Sequence, residues 1–204
     1  MQSIAVSIAP KDRTISRAAY DVAVVVAGSL VVAGLAQVKI HLGFTPVPIT
    51  GQTLGVLLVG ASLGPQLGAA SLLLYVGEGA VGLPFFAGGT HFAHGLVFPV
   101  CTIDGASAGY LWGFVAAAGV VGWLSRLGWD RRLGTAIAAM FIGEIVLYAG
   151  GIPWLDAACH LPAQKGLSLG LYPFVVGDTI KLLIAAGLLP VAWRGLEALR
   201  RRAR

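Results

Sequence analysis

Asp178 and Lys181 stand three residues apart in an otherwise apolar stretch, Leu171–Trp193. On a helix that spacing puts both on one face. Ionisable groups inside an apolar span are costly enough to point to function by default. One reading is a self-contained ion pair. The other is a site that a polar ligand completes, the carboxylate accepting N–H donors and the ammonium donating to a carbonyl or carboxylate. Glu78 and Glu144 are single acids in two further apolar stretches, Gln66–Leu83 and Leu133–Ala149. Each reads equally well as a protonated, helix-bonded acid or as a ligand contact. Together the four residues suit one polar cavity within apolar and aromatic walls, the usual composition of a ligand site.

Other chemistry finds less support. Gly60-Ala61-Ser62-Leu63-Gly64 and Gly105-Ala106-Ser107-Ala108-Gly109 both match G-x-S-x-G. That pattern marks a hydrolase nucleophile only between a strand and a helix, whereas both matches fall at helix ends. No histidine lies in any apolar stretch to serve as base, which counts against an intramembrane hydrolase. His91 and His94 share one loop with Asp104 downstream, too few ligands for a firm metal site, so no metal and no cofactor is expected. Cys101 and Cys159 read as two free thiols more readily than as a disulfide. No G-x-x-x-x-G-K-[ST] loop occurs, so this chain does not hydrolyse ATP through a P-loop.

The elements that must position these residues are membrane helices. The 204 residues are 57% hydrophobic and 11% charged, against about 25% charged in soluble domains. A chain so poor in charge cannot cover a water-facing surface. Spans of about 20 apolar residues are expected at Tyr20–Val38, Ile49–Leu63, Gln66–Leu83, Ala108–Leu124, Leu133–Ala149 and Leu171–Trp193. The first is read as a retained helix rather than a cleaved signal peptide.

Eleven of the 14 Lys and Arg fall in three clusters: Lys11, Arg13 and Arg17; Arg126, Arg131 and Arg132; and Arg194, Arg200, Arg201, Arg202 and Arg204. Six spans put all three clusters on one side, as the positive-inside rule requires; five or seven do not. The expectation is therefore an all-α integral membrane protein of six transmembrane helices with both termini cytoplasmic. It forms a single transmembrane domain over 1–204, with a basic tail over 194–204. The net charge of +5 is an orientation signal and not a nucleic-acid footprint. The tail can also attract anionic lipid headgroups.

Long connections at Lys39–Pro48, Pro84–Ser107 and Asp156–Gly170 fall on the opposite side, where loops of that length serve as lids or binding loops. Small residues recur every fourth position at Ala19, Ala23 and Ala27, at Gly60, Gly64 and Gly68, and at Gly105, Gly109 and Gly113. Such rows let helix backbones touch. Packing within the bundle is the plainer reading; docking of another membrane protein on the first row is the sharper one.

An ordered set of motifs then resembles the BioY family, the substrate-capture (S) components of energy-coupling factor (ECF) biotin importers. It runs from Thr45-Pro46-Val47-Pro48-Ile49-Thr50-Gly51-Gln52-Thr53 through Gly60-Ala61-Ser62-Leu63-Gly64-Pro65 and Tyr75 to Gly82-Leu83-Pro84-Phe85-Phe86-Ala87-Gly88-Gly89. Ala108-Gly109-Tyr110-Leu111-Trp112-Gly113-Phe114, Gly151-Ile152-Pro153-Trp154-Leu155 and Gly177-Asp178-Thr179-Ile180-Lys181 complete it, over about residues 20–190.

The resemblance implies a six-helix S-component-like bundle in a bacterial plasma membrane, holding biotin under loop lids. It implies a transmembrane scaffold subunit and ATPases as partners, although some family members act without them; homo-oligomers are left open. By the same resemblance Asp178 and Lys181 meet the vitamin's head group, and the Ala19, Ala23, Ala27 row docks the scaffold. Tyr75, Phe85, Phe86, Tyr110 and Trp112 are the candidate walls for biotin's ring and tail. Between Gly89 and Tyr110 the chain departs from the family pattern and holds no Arg or Lys to meet a carboxylate, which leaves His91, His94 or backbone amides for that task. The alternatives are another small vitamin-like solute in the same fold, or a purely structural membrane subunit without a ligand.

Overall fold

The structure is a computed structural model that describes residues 3–8, 17–40, 42–87, 89–91 and 94–202. Lys11, Asp12, Arg13, Gly88 and Arg204 lie outside the described residues. The described residues form helices apart from one small hairpin and the connecting turns. Its elements are α1 (Ile4–Ile8), α2 (Arg17–Ala36), β1 (Lys39–Ile40), β2 (Ile49–Thr50), α3 (Gln52–Leu63) and α4 (Pro65–Ala80). These are followed by α5 (His94–Val97), α6 (Ile103–Arg126), a 3-10 turn at Trp129–Arg131, α7 (Leu133–Cys159), α8 (Ala163–Gly170) and α9 (Val175–Arg202).

Each of the six expected spans coincides with a helix. Four of these, in α2, α6, α7 and α9, are long and apolar enough to cross a membrane. With 12 and 16 residues, α3 and α4 rise only about 18 and 24 Å at 1.5 Å per residue, short of a bilayer core of about 30 Å. Large apolar side chains stay exposed along the long helices, among them Val22 and Leu30 on α2, Phe141 and Ile145 on α7, and Val176, Ile184 and Leu188 on α9. An apolar surface of that extent marks a lipid-facing protein.

Close backbone approach explains the glycine rows. A Cβ on Gly60 would come within 2.8 Å of the Ala118 Cα, and one on Gly109 within 2.1 Å of the Trp154 Cβ. Helix α6 therefore packs directly on α3 and α7, and also contacts α4. Gly64 turns the chain between α3 and α4 at φ +85°, a left-handed conformation that glycine adopts without strain, and Pro65 opens α4 with its ring in the first turn, where a missing N–H costs nothing. One core cluster gathers Tyr75, Phe86, Tyr110, Phe114, Leu155 and Phe174. A second gathers Leu57, Val121, Met140, Leu182 and Leu189 toward the basic end. There the Trp193 indole donates to Asp130 at 2.5 Å and the Arg131 guanidinium lies 4.3 Å above the Trp193 ring, fastening the Arg126–Arg132 turn to α9.

Three expectations are corrected. The fifth span does not end at Ala149: α7 runs on to Cys159 through Pro153, with Gly150 packed against Gly109 and Gly113 of α6. The stretch Asp156–Gly170 is not an open loop, since it contains the end of α7 and all of α8. Cys101 and Cys159 are joined in a disulfide rather than free, because the longer α7 carries Cys159 to the segment just before α6.

Candidate functional site

The site lies where the hairpin, the start of α3, the Phe86–Thr90 turn, α6, α7 and α9 converge on a cavity of about 220 Å³. The hairpin is antiparallel, with Lys39 opposite Thr50 and Ile40 opposite Ile49. Its connecting loop is tied down by the Thr45 hydroxyl, which donates to the Leu169 carbonyl at 2.7 Å and accepts from the Val47 amide at 3.2 Å. The Gly51 amide donates to the Val38 carbonyl at 3.0 Å. A Cβ at Gly51 would come within 2.6 Å of the Leu35 carbonyl oxygen, so glycine is what lets the chain pass from strand to helix against α2. That passage delivers Thr50, Gln52 and Thr53 to the cavity wall.

Asp178 is the hub. Its Oδ1 accepts from Lys181 Nζ at 2.6 Å and from Thr53 Oγ1 at 3.1 Å, and its Oδ2 accepts from the Tyr148 hydroxyl. Lys181 Nζ also donates to Thr53 Oγ1 at 3.0 Å, so two of its three protons are engaged. Beside this cluster, Gln52 Oε1 accepts from the Thr50 hydroxyl at 2.8 Å, and Gln52 Nε2 donates to the Tyr75 hydroxyl at 2.6 Å. The Tyr75 hydroxyl donates in turn to the Phe85 carbonyl at 3.1 Å. The remaining walls are largely apolar: Phe86, Leu111, Phe114, Leu147 and Phe174, with Tyr110 held by its bond to the Gly170 carbonyl at 2.8 Å. Tyr110 and Tyr148 meet edge to face at 6.0 Å.

Burying an ion pair stabilises a fold weakly, because desolvation offsets the Coulomb attraction. The pair is thus better explained by what it offers the cavity. It presents the third Lys181 proton, the remaining Asp178 lone pairs and the second Gln52 amide proton to a ligand with both donors and acceptors.

Of the residues singled out from sequence, the structure brings Asp178, Lys181, Phe86 and Tyr110 to the cavity. Tyr75 and Phe85 lie behind the wall, positioning Gln52. Trp112 does not reach it: two residues turn a helix by about 200°, so with Tyr110 inward Trp112 faces out, half-exposed and bonded to the Leu96 carbonyl at 3.0 Å. Glu78 is also elsewhere, accepting from the buried Ser29 hydroxyl and joining α4 to α2. His91 is exposed and off the wall. Glu144 lies one turn before Tyr148 on α7, in an apolar crevice between α7 and α9 that shares Tyr148 and Asp178 with the cavity. Ala19, Ala23 and Ala27 all face outward from α2.

Sequence reading did not nominate Thr50, Gln52, Thr53, Tyr148 or Lys39. The first three sat inside a quoted motif, as polar residues at or just before the start of an apolar helix, and that was their signal. Tyr148 had none, because its role depends on α7 packing beside α9.

A solved structure described as the S-component for biotin from an ECF-type ABC transporter has this same fold. Its TM-score is 0.75 at 23% identity, covering 89% of this chain and 95% of that one. Fold and exposed surface thus define an all-helical membrane protein with the S-component architecture. The model of the BioY family matches residues 9–198. The biotin transporter BioY of Rhizobium etli is 38% identical over 154 residues, covering 72% of this chain and 78% of its own. The biotin transporter BioY of Thermotoga maritima is 37% identical over 158 residues, covering 78% and 86%. The chain belongs to the BioY family.

Proposed function

We propose that this chain is the biotin-capturing membrane subunit of an uptake transporter, with the vitamin's ureido head at Asp178 and Lys181. The observation that carries this reading is the cluster of Asp178, Lys181, Thr53 and Tyr148 facing a cavity with apolar walls. Biotin's ureido ring has two N–H donors and one carbonyl acceptor. Asp178 takes a donor and Lys181 or Gln52 supplies the carbonyl, while the fused sulfur ring and aliphatic tail pack against Phe86, Tyr110, Phe114 and Phe174. The names of the relatives, biotin transporters, support the same ligand.

The chain spans a bacterial plasma membrane six times as a single domain, its basic clusters cytoplasmic. The short α3 and α4 complete two of the crossings with their flanking segments, meeting at Gly64 and Pro65 on the side that also holds Arg126. The chain catalyses no reaction of its own. An ECF scaffold with ATPases supplies the energy, and the outward row of Ala19, Ala23 and Ala27 on α2 offers a surface flat enough for a scaffold helix.

Saturation binding of radiolabelled biotin to the detergent-purified chain tests this, with unlabelled biotin, thiamine and riboflavin as competitors. The reading expects one saturable site that only biotin empties. Displacement by another vitamin and not by biotin, or no saturable site on folded protein, sinks it.

A further inference from the structure

The cavity wall carries one positive charge that no described residue balances. Its described charged residues are Lys39, Asp178 and Lys181. Asp178 and Lys181 neutralise each other at 2.6 Å. Among the described residues Lys39 makes no ion pair; the pairs there are Lys181–Asp178 and Arg17–Asp21. Lys39 is exposed and sits opposite Thr50 in the hairpin register, and Thr50 lines the cavity as well. The hairpin therefore holds an unpaired ammonium where the cavity opens to water. Its place is fixed by the Gly51–Val38 backbone bond and by the Thr45 anchor on Leu169. No histidine is among the described wall residues, and His91 is exposed away from them.

We propose that Lys39 binds the terminal carboxylate of the ligand and sets the preference for an anionic tail. The inference rests on the reading of the cavity as a biotin site and adds which end of the cavity reads the ligand's charge. The ureido head is uncharged and suits the neutral Asp178–Lys181 pair. The carboxylate suits the uncompensated ammonium, and a bound monoanion leaves the cavity neutral overall. Between the two polar ends, Phe86, Phe114 and Phe174 offer the tail an apolar path. An ammonium donates to a carboxylate as a charge-assisted bond, while a neutral tail gains nothing comparable.

The test compares dissociation constants for biotin and for its uncharged carboxamide, using wild type, Lys39→Gln and Lys39→Arg in detergent. Wild type is expected to prefer biotin by about tenfold, the weaker end of a hydrogen bond to a charged group. Lys39→Gln loses about that factor for biotin and not for the amide, so the preference disappears. Lys39→Arg retains it. A Lys39→Gln protein that still prefers biotin overturns the assignment. Equal losses for biotin and amide overturn it too, because they mean that Lys39 only props the hairpin. Wild type without saturable biotin binding fails the parent reading instead, a result separate from either.

Discussion

Replacing Thr53 with valine removes one buried hydroxyl from the centre of the polar cluster and changes the shape of the side chain little. That hydroxyl donates to Asp178 Oδ1 at 3.1 Å and accepts from Lys181 Nζ at 3.0 Å. Hydrogen bonds to charged groups are worth about 1.5–3 kcal/mol each. Lys181 and Asp178 still meet directly at 2.6 Å and recover part of the loss, so the net cost is about 2 kcal/mol. In a chain of this length that lowers the Tm by about 4–8 °C. Biotin affinity falls by at least about tenfold, because Lys181 and Asp178 are no longer held in one orientation. Thr53→Ser keeps the hydroxyl and is expected to stay near wild type in both respects. Thermal unfolding followed by tryptophan fluorescence, together with equilibrium biotin binding, reads both effects. A Thr53→Val protein that melts and binds like wild type would refute the idea that this hydroxyl organises the pair.

Tyr148→Phe withdraws the donor on Asp178 Oδ2 and is expected to weaken biotin binding by tenfold or more, measured with labelled ligand. Gly109→Leu drives a side chain into Trp154 and the Gly150 carbonyl, separating α6 from α7; overpacking costs typically about 1–3 kcal/mol and occasionally more. Size-exclusion chromatography should show that variant aggregated or poorly recovered, whereas Gly134→Ala, with nothing within 4 Å of the new methyl, should elute as wild type.

The long helices α2, α6, α7 and α9 were legible in the sequence because a bilayer demands length and apolar composition of a helix that crosses it. Helices α3 and α4 were legible as apolar runs bracketed by Pro48, Pro65 and Leu83. Glycine spacing at Gly60, Gly64 and Gly68 and at Gly109 and Gly113 also carried the packing of α6 against its neighbours. Asp178 and Lys181 stood out because charge in an apolar span has few innocent explanations. What the sequence did not show was which way each side chain points once the helices pack. Trp112 and Tyr110 looked alike on paper and point to opposite sides of α6. Glu78 read equally well as a helix-bonded acid or as a ligand contact, and it bonds Ser29, a residue 49 positions away. Lys39 and Cys159 were hidden by loop assignments: one lay in a stretch that forms a hairpin, the other at the end of a helix that outlasts its proline.

The most direct test of the central claim is equilibrium binding of radiolabelled biotin to wild type beside Asp178→Asn and Lys181→Ala, each verified as folded by its elution profile. Each variant deletes one charge from a pair that faces the cavity. Losing a charge-assisted bond costs about 1.5–3 kcal/mol, which is roughly tenfold to over a hundredfold in Kd. The account predicts tight saturable binding by wild type and a loss of that size in both variants. Biotin binding that survives both substitutions unchanged would place the ligand elsewhere and contradict it.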